Sequence, residues 1–366
     1  MQRSSRDPAV LQAQLQTWLA DRLGAGAEPT VTDLEGTDAN GMSSDTVLFR
    51  ASWTADGRDY DERLVARIAP AAADVPVFPS YDLPGQFQVI EAVATHSDVP
   101  VPKVWWCEPS ADPVGAPFFV MSRVDGQVPP DNLPYSFGDN WLFDATPEQQ
   151  RRLQDTTVAA IAALHDIGEP AHRFPALCQP GVATDPLRAH VARTREWYDM
   201  VAAAGTPSPL VERTFDWLAA NWPRHESPTV LSWGDARIGN VLYVDFAPAA
   251  LLDWEMAGLG PGELDVGWIA YAHFVFQDLA RKLELPGMPE FLRYDDVAAS
   301  YEAIRGHTPR NLRFFMVYAA LQWSIVFLRT GQRRVHFGEQ EMPPDPEELI
   351  LNRDHLDSLL PEIPGD

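Results

Sequence analysis

The sequence predicts an α+β protein, with strands concentrated in the first third and helices filling most of the rest. Three observations carry this expectation. Apolar runs flank a Gly-containing turn between Val47 and Ile68, as in a hairpin. From Thr146 onward, long stretches repeat their apolar residues at helical spacing. A short strand–turn–strand pattern, Leu231 to Glu255, interrupts those helices. At 366 residues the chain is long enough for two lobes, each with its own core. Its 45% hydrophobic content suits a globular enzyme and argues against general disorder.

Taken in order, Pro8–Leu23 places Val10, Leu11, Leu15, Trp18, Leu19 and Leu23 at helical intervals. Val47–Trp53 and Arg63–Ile68 read as strands joined by a turn at Ala55–Arg58, and a small-residue loop, Gly36 to Ser44, precedes them. Val99-Pro100-Val101-Pro102 leads into another strand, and Pro117–Gly126 reads as a buried strand ending in a Gly turn. The Pro-rich, aromatic Val128–Trp141 is a loop. Thr146-Pro147-Glu148-Gln149 supplies an N-cap, a first-turn Pro and an acid, so a helix runs from there to His165. Leu187–Ala203 and Pro209–Trp222 form a helical pair. Gly258–Gly262 reads as a loop, with helices following at Val266–Phe276, Asp295–Ile304, Asn311–Leu328 and Pro346–Leu360. There is no internal repeat.

The net charge of −24 disfavours nucleic acid and anionic membranes as partners and favours cations, although the same acidity also serves solubility. Cys107 and Cys178 are far apart and lack C-x-x-C spacing, which points to structural thiols in a reducing compartment. Met1–Leu23 has no apolar signal core, so the expected location is cytoplasmic. Phe314–Leu328 is apolar but interrupted by Gln322 and Ser324, as expected of a buried helix.

The chemistry concentrates in L-S-W-G-D-A-R-I-G-N-V-L-Y-V-D-F-A-P-A-A-L-L-D-W-E. Val241–Val244 and Ala249–Leu252 read as a hairpin with its turn at Asp245–Pro248, which brings Asn240 and Asp253 to one end. Asp235 faces the same space from the preceding loop. An Asp that takes a hydroxyl proton, beside an Asn and an Asp that hold Mg²⁺, suits phosphoryl transfer. No G-x-S-x-G or H-E-x-x-H is present.

This stretch resembles the aminoglycoside phosphotransferase family, which carries H-G-D-x4-N followed by an Asp on the next strand. Gly234-Asp235, Asn240 and Asp253 match that pattern, and Trp233 stands where the family usually has His. The Trp-Gly-Asp variant is also similar to the branch associated with acyl-CoA dehydrogenases. The resemblance implies a protein-kinase-like two-lobe fold, with a nucleotide-binding lobe at 1–125 and a catalytic and substrate lobe at 126–366. It implies ATP and Mg²⁺ as cofactors, Asp235 as catalytic base, and Asn240 and Asp253 as metal ligands. Ser43 and Ser44 would cover the phosphates, and Arg67 would hold them, with Gln86 or Glu91 as its partner. Met121, Ser122 and Val124 would form the hinge against adenine. Asp265 at a helix start would brace the catalytic loop, a role compatible with its also serving as an N-cap, and His165 would interact with the end of its own helix. The partner is a small-molecule hydroxyl acceptor, polycationic or a hydroxyacyl thioester, for a monomer or homodimer. The alternative is a nucleotide-binding pseudokinase.

Overall fold

The computed structural model describes residues 6–36, 44–71, 74–131, 133–178, 185–224 and 227–360. Asp56 and Gly57 take φ of 53° and 71°, the left-handed pair of a tight two-residue hairpin turn. Around that turn, β2 (Asp45–Ala55) and β3 (Arg58–Ile68) pair along their full length, so both strands exceed the lengths expected from pattern alone. With β1 (Thr30–Gly36), β4 (Val104–Glu108) and β5 (Phe118–Ser122) they form an antiparallel sheet of order β1-β2-β3-β5-β4. α1 (Pro8–Leu23), capped by Asp7, buries Leu11, Leu15, Trp18 and Leu19 in one cluster with Val47, Phe49, Leu64 and Phe118. α2 (Leu83–His96) contributes Val89, Ile90 and Val93 to a cluster that holds Val65, Phe119 and Met121. Strand alternation divides the sheet residues between these two cores.

The remainder is mainly helical: α3 (Pro147–His165), α4 (Pro170–Arg173), α5 (Pro186–Ala203) and α6 (Pro209–Ala220) precede the stretch from Leu231 to Glu255. Thr146 and Gln149 close a capping box at the start of α3. Next come β6 (Thr229–Ser232), β7 (Val241–Val244), β8 (Ala247–Leu251) and β9 (Gly258–Pro261). α7 (Glu263–Lys282), α8 (Tyr294–Arg305), α9 (Leu312–His336) and α10 (Arg353–Leu359) complete the lobe. The whole is the α+β, protein-kinase-like arrangement.

Several elements differ from expectation. β9 is a strand paired with β6, not a loop, because its small residues let the two backbones lie side by side. The β7–β8 turn is only Asp245-Phe246, both at positive φ, and Pro248 sits in β8 beside a register shift. The segment Pro346–Leu360 is a short 3₁₀ turn followed by α10 rather than one helix. α9 runs on to His336 and is long and apolar enough to cross a membrane by composition. Yet Phe314, Val317, Leu321, Ile325 and Leu328 are all buried inside the lobe, which accounts for its apolar character. One cross-lobe tie stands out: Arg329 and Arg333 donate to the carbonyls of Pro76, Asp74 and Val75, and Trp197 Nε1 donates to Val77 O.

Candidate active site

A cleft of about 350 Å³ opens between the sheet and the β7–β8 hairpin. The sheet supplies Leu48, Val65, Phe119 and Met121, and the hairpin supplies Leu242 and Leu251. An apolar interior with few convergent polar groups is the usual make-up of a small-ligand site. Ser122–Gly126 forms one edge, where Arg123 N–H donates to Arg63 O and Ser122 N–H to Lys103 O. Gln127 then exchanges both backbone hydrogen bonds with Tyr243, tying the segment after β5 to β7. Gly126 permits that approach, since a Cβ there would lie 3.1 Å from Tyr243 O. Arg67, Asn240 and Asp253 supply polar groups to the same cleft.

The loop that carries Asp235 is held from beneath by one buried carboxylate. Asp265, at the start of α7, accepts from Trp233 N (2.8 Å), Gly234 N (3.0 Å), Ser232 Oγ (2.8 Å) and His165 Nε2 (3.0 Å). Burial raises its pKa, but the His165 hydrogen bond and charge and the two loop N–H groups outweigh it, leaving it below the ordinary carboxylate range. His165 therefore does more than end its helix: its other ring nitrogen meets Tyr301 Oη at 2.8 Å, and the imidazole orients Asp265. Gly234 has φ 90°, and a Cβ there would fall 2.2 Å from Met256 O, so this turn requires glycine. Trp233, fully buried, donates from Nε1 to Leu252 O at 2.9 Å. The indole thus props the loop against the segment that follows β8 and carries Asp253.

Three donors fix Asp235. Trp268 Nε1 reaches Oδ1 at 2.8 Å, while Asn240 Nδ2 (2.6 Å) and Arg237 Nε (3.1 Å) reach Oδ2. Arg237 also pairs with Asp131 from the loop beyond the hinge. Burial alone would lower the Arg237 pKa, but the two carboxylates raise it well above its usual value, so the cation is permanent. Asp235 does not line the main cleft; it is joined to it through Asn240.

Asn240 and Asp253 meet as expected: Leu252 N donates to Asn240 O at 2.8 Å, and both side chains line the cleft. A carboxylate only accepts, so Asn240 turns its amide N–H groups toward Asp235, leaving Oδ1 for a cation. Arg67 does not pair with either expected residue. It donates to Asp253 Oδ1 (2.8 Å) and Thr46 Oγ1 (3.0 Å), whereas Glu91 is exposed and outside the cleft. Gln86 lines the cleft, as do Met121, Ser122 and Val124. Ser44 is buried at the start of β2 and is not part of the lining, and Ser43 lies outside the described residues. Cys107 is half-buried, with burial pushing its thiol up to about 11, and Cys178 is exposed; both are free.

Sequence reasoning passed over Arg237 and Trp268. A charge inside the apolar A-R-I-G-N run was the available signal for Arg237, because a buried guanidinium needs a carboxylate. Trp268 lies one helical turn beyond Asp265 and on its face, which is a weaker signal.

Residues 38–294 match the model of the phosphotransferase enzyme family, APH. The chain belongs to this family. Solved structures agree on the fold. A candidate aminoglycoside phosphotransferase from Ralstonia eutropha superposes with a TM-score of 0.66 at 19% identity, covering 95% of this chain and 96% of that one. A thermostable mutant of aminoglycoside phosphotransferase APH(4)-Ia, in ternary complex with AMP-PNP and hygromycin B, gives 0.52 at 15% identity, covering 94% and 97%. By sequence, this phosphotransferase-family chain is 25% identical over 299 residues to acyl-CoA dehydrogenase family member 10 of Mus musculus. That match covers 78% of the chain and 25% of the mouse protein. Across the acyl-CoA dehydrogenase relatives matched first, the chain spans 25% to 31% of their length.

Arg67 provides a first test of the cleft. Arg67→Ala is expected to weaken ATP by about 1.5–3 kcal/mol, the range for charge-assisted hydrogen bonds, and adenosine hardly at all. Calorimetry with both ligands separates the cases, since equal losses would assign Arg67 to lobe structure alone.

Proposed function

We propose that the chain is an ATP- and Mg²⁺-dependent phosphotransferase that moves the γ-phosphoryl group to a hydroxyl of a small molecule. The observation that carries this reading is the setting of Asp235. Its Oδ2 receives two donors, but among the described residues Oδ1 receives only Trp268, so a second lone pair on Oδ1 is left for an acceptor hydroxyl. Asp235 would take the hydroxyl proton as the oxygen attacks the γ-phosphorus and ADP departs. Arg67 would hold phosphate oxygens, and Met121, Ser122 and Val124 would border the adenine. Lobes 1–125 and 126–366 would close on the nucleotide.

Asn240 Oδ1 and Asp253 are the groups that would hold Mg²⁺. The fit is to a cation that keeps several waters and shares its shell with phosphates, since such a site needs only one or two protein ligands. Mg²⁺ supplies neutralisation of charge on the phosphate oxygens during transfer.

The acceptor side favours a less polar compound over a polycation. Trp268, which touches Asp235, stacks on Trp323 at 5.9 Å, and Phe276 and Phe327 pack against Trp323 in turn. Of the acids that a polycation would need, Asp131, Asp278 and Glu290 are already paired with Arg237, Arg281 and Arg293. The names of the acyl-CoA dehydrogenase relatives support placing hydroxyacyl thioesters among the acceptors. A nucleotide-binding module without transfer is the second reading. Its support is the Arg67–Asp253 ion pair, which engages the carboxylate needed for the metal.

An ATP-consumption screen in Mg²⁺ over hydroxylated amines, sugars and hydroxyacyl thioesters tests the proposal. ADP release that depends on one acceptor class is expected. Release that no acceptor stimulates would favour the second reading.

A further inference from the structure

Asp235 has a competitor for its own open oxygen. Arg237 reaches Oδ2 through Nε at 3.1 Å, and Asp131 pins Nη1 of the same guanidinium, so the cation is held in place beside the base. Among the described residues Nη2 has no hydrogen-bond partner, and it lies on the same edge of the guanidinium as Nε. Such an edge is shaped to grip both oxygens of one carboxylate. The protein shows that fork elsewhere: Arg50 holds Asp61 through Nε at 2.6 Å and Nη2 at 2.5 Å. A fork of the same kind on Asp235 would turn Oδ1 toward Arg237 and away from an incoming hydroxyl.

Trp268 holds Oδ1 instead. Its Nε1 donates at 2.8 Å, and an indole only donates, so it cannot take the hydroxyl proton in place of Asp235. The ring is buried, and its position is set by stacking. Trp323 on α9 lies against it at 5.9 Å with the planes 27° apart, and Phe276 and Phe327 pack on Trp323. Gly267, the residue before Trp268, lets α9 come this close, since a Cβ there would lie 3.0 Å from Phe315 Cβ. One turn earlier on α7, Asp265 accepts from the N–H groups of Trp233 and Gly234. α7 therefore fixes the loop twice, through its backbone and through the carboxylate it carries.

We propose that Trp268 is a positioning residue for the transfer: its indole N–H keeps Oδ1 of Asp235 off an Arg237 fork and turned toward the acceptor hydroxyl. The kinetic consequence rests on the phosphotransferase reading; the competition between indole and fork does not. The arrangement meets two needs of a base in a mostly covered site. Its charge has to be balanced, and its reacting oxygen has to stay open. Arg237 meets the first through Oδ2 alone, and Trp268 secures the second.

Trp268→Phe is the test, because it keeps an aromatic ring against Trp323 and removes the N–H. A crystal structure of the variant is expected to show Arg237 Nη2 within about 3.2 Å of Asp235 Oδ1. Steady-state kinetics should show kcat lowered about tenfold with KM for ATP nearly unchanged, because the lost alignment matters when the proton moves. Trp268→His, which retains a ring N–H, should recover part of kcat. Melting curves confirm that each variant is folded. An Asp235 carboxylate that keeps its orientation in Trp268→Phe, with no fork, overturns the proposal. So does wild-type kcat in that variant, or a loss shared equally by kcat and ATP affinity. A wild type that transfers to no acceptor would instead sink the phosphotransferase reading, and the variant's crystal structure would still decide between indole and fork.

Discussion

Asp235→Asn is expected to lower phosphoryl transfer about a hundredfold or more while leaving nucleotide affinity nearly unchanged. The amide matches the carboxylate in shape but cannot accept the hydroxyl proton, and that role exists only in the transition state. The substitution also removes the charge that Arg237 and Asn240 were arranged to meet, at 3.1 Å and 2.6 Å. Steady-state rates on the acceptor identified by screening, with ATP affinity measured in parallel, give the answer. Wild-type turnover in the variant would remove Asp235 from the role of base.

The second large effect falls on Asp265, which contacts no substrate. Asp265→Ala should lower the unfolding free energy by about 3–5 kcal/mol, the usual consequence of removing one partner from a buried charged network. Four donors lose their acceptor together: the N–H groups of Trp233 and Gly234, the Ser232 hydroxyl and His165 Nε2. Because its folded pKa is depressed, the stability it contributes is complete above the ordinary carboxylate value of about 4. That contribution is lost as pH falls through the depressed value. Urea titrations at neutral and acidic pH measure both statements. A loss below about 1 kcal/mol at neutral pH would mean that the catalytic loop is held by something else.

Much of this arrangement was legible before any coordinates. That Asn240 and Asp253 lie at one end followed from reading two strands joined by a short turn, although the turn was placed at Asp245–Pro248 and is only Asp245-Phe246. The brace at Asp265 was one of two compatible readings of a helix-start acid; the buried hydrogen bonds form it, while Gly262 takes the N-cap position. What escaped was long-range and carried by side chains. The ion pair of Arg67 with Asp253 spans 186 residues and replaces both expected partners on α2. The Arg237–Asp131 pair spans 106 residues, and neither residue shows any periodic signal. The role of Trp233 could not be read from a departure in the motif, since its Nε1 needs the Leu252 carbonyl that only the folded hairpin presents. β9 was missed because glycines mark loops and close strand pairs alike.

The most direct test of metal-assisted transfer at this cleft is Asp253→Ala, titrated with ATP in Mg²⁺ and again in EDTA. A joint Mg²⁺ site at Asn240 and Asp253 predicts that the variant loses most of the affinity the metal confers and changes little in EDTA. Equal losses with and without metal would take Asp253 out of the coordination sphere and contradict the phosphotransferase mechanism.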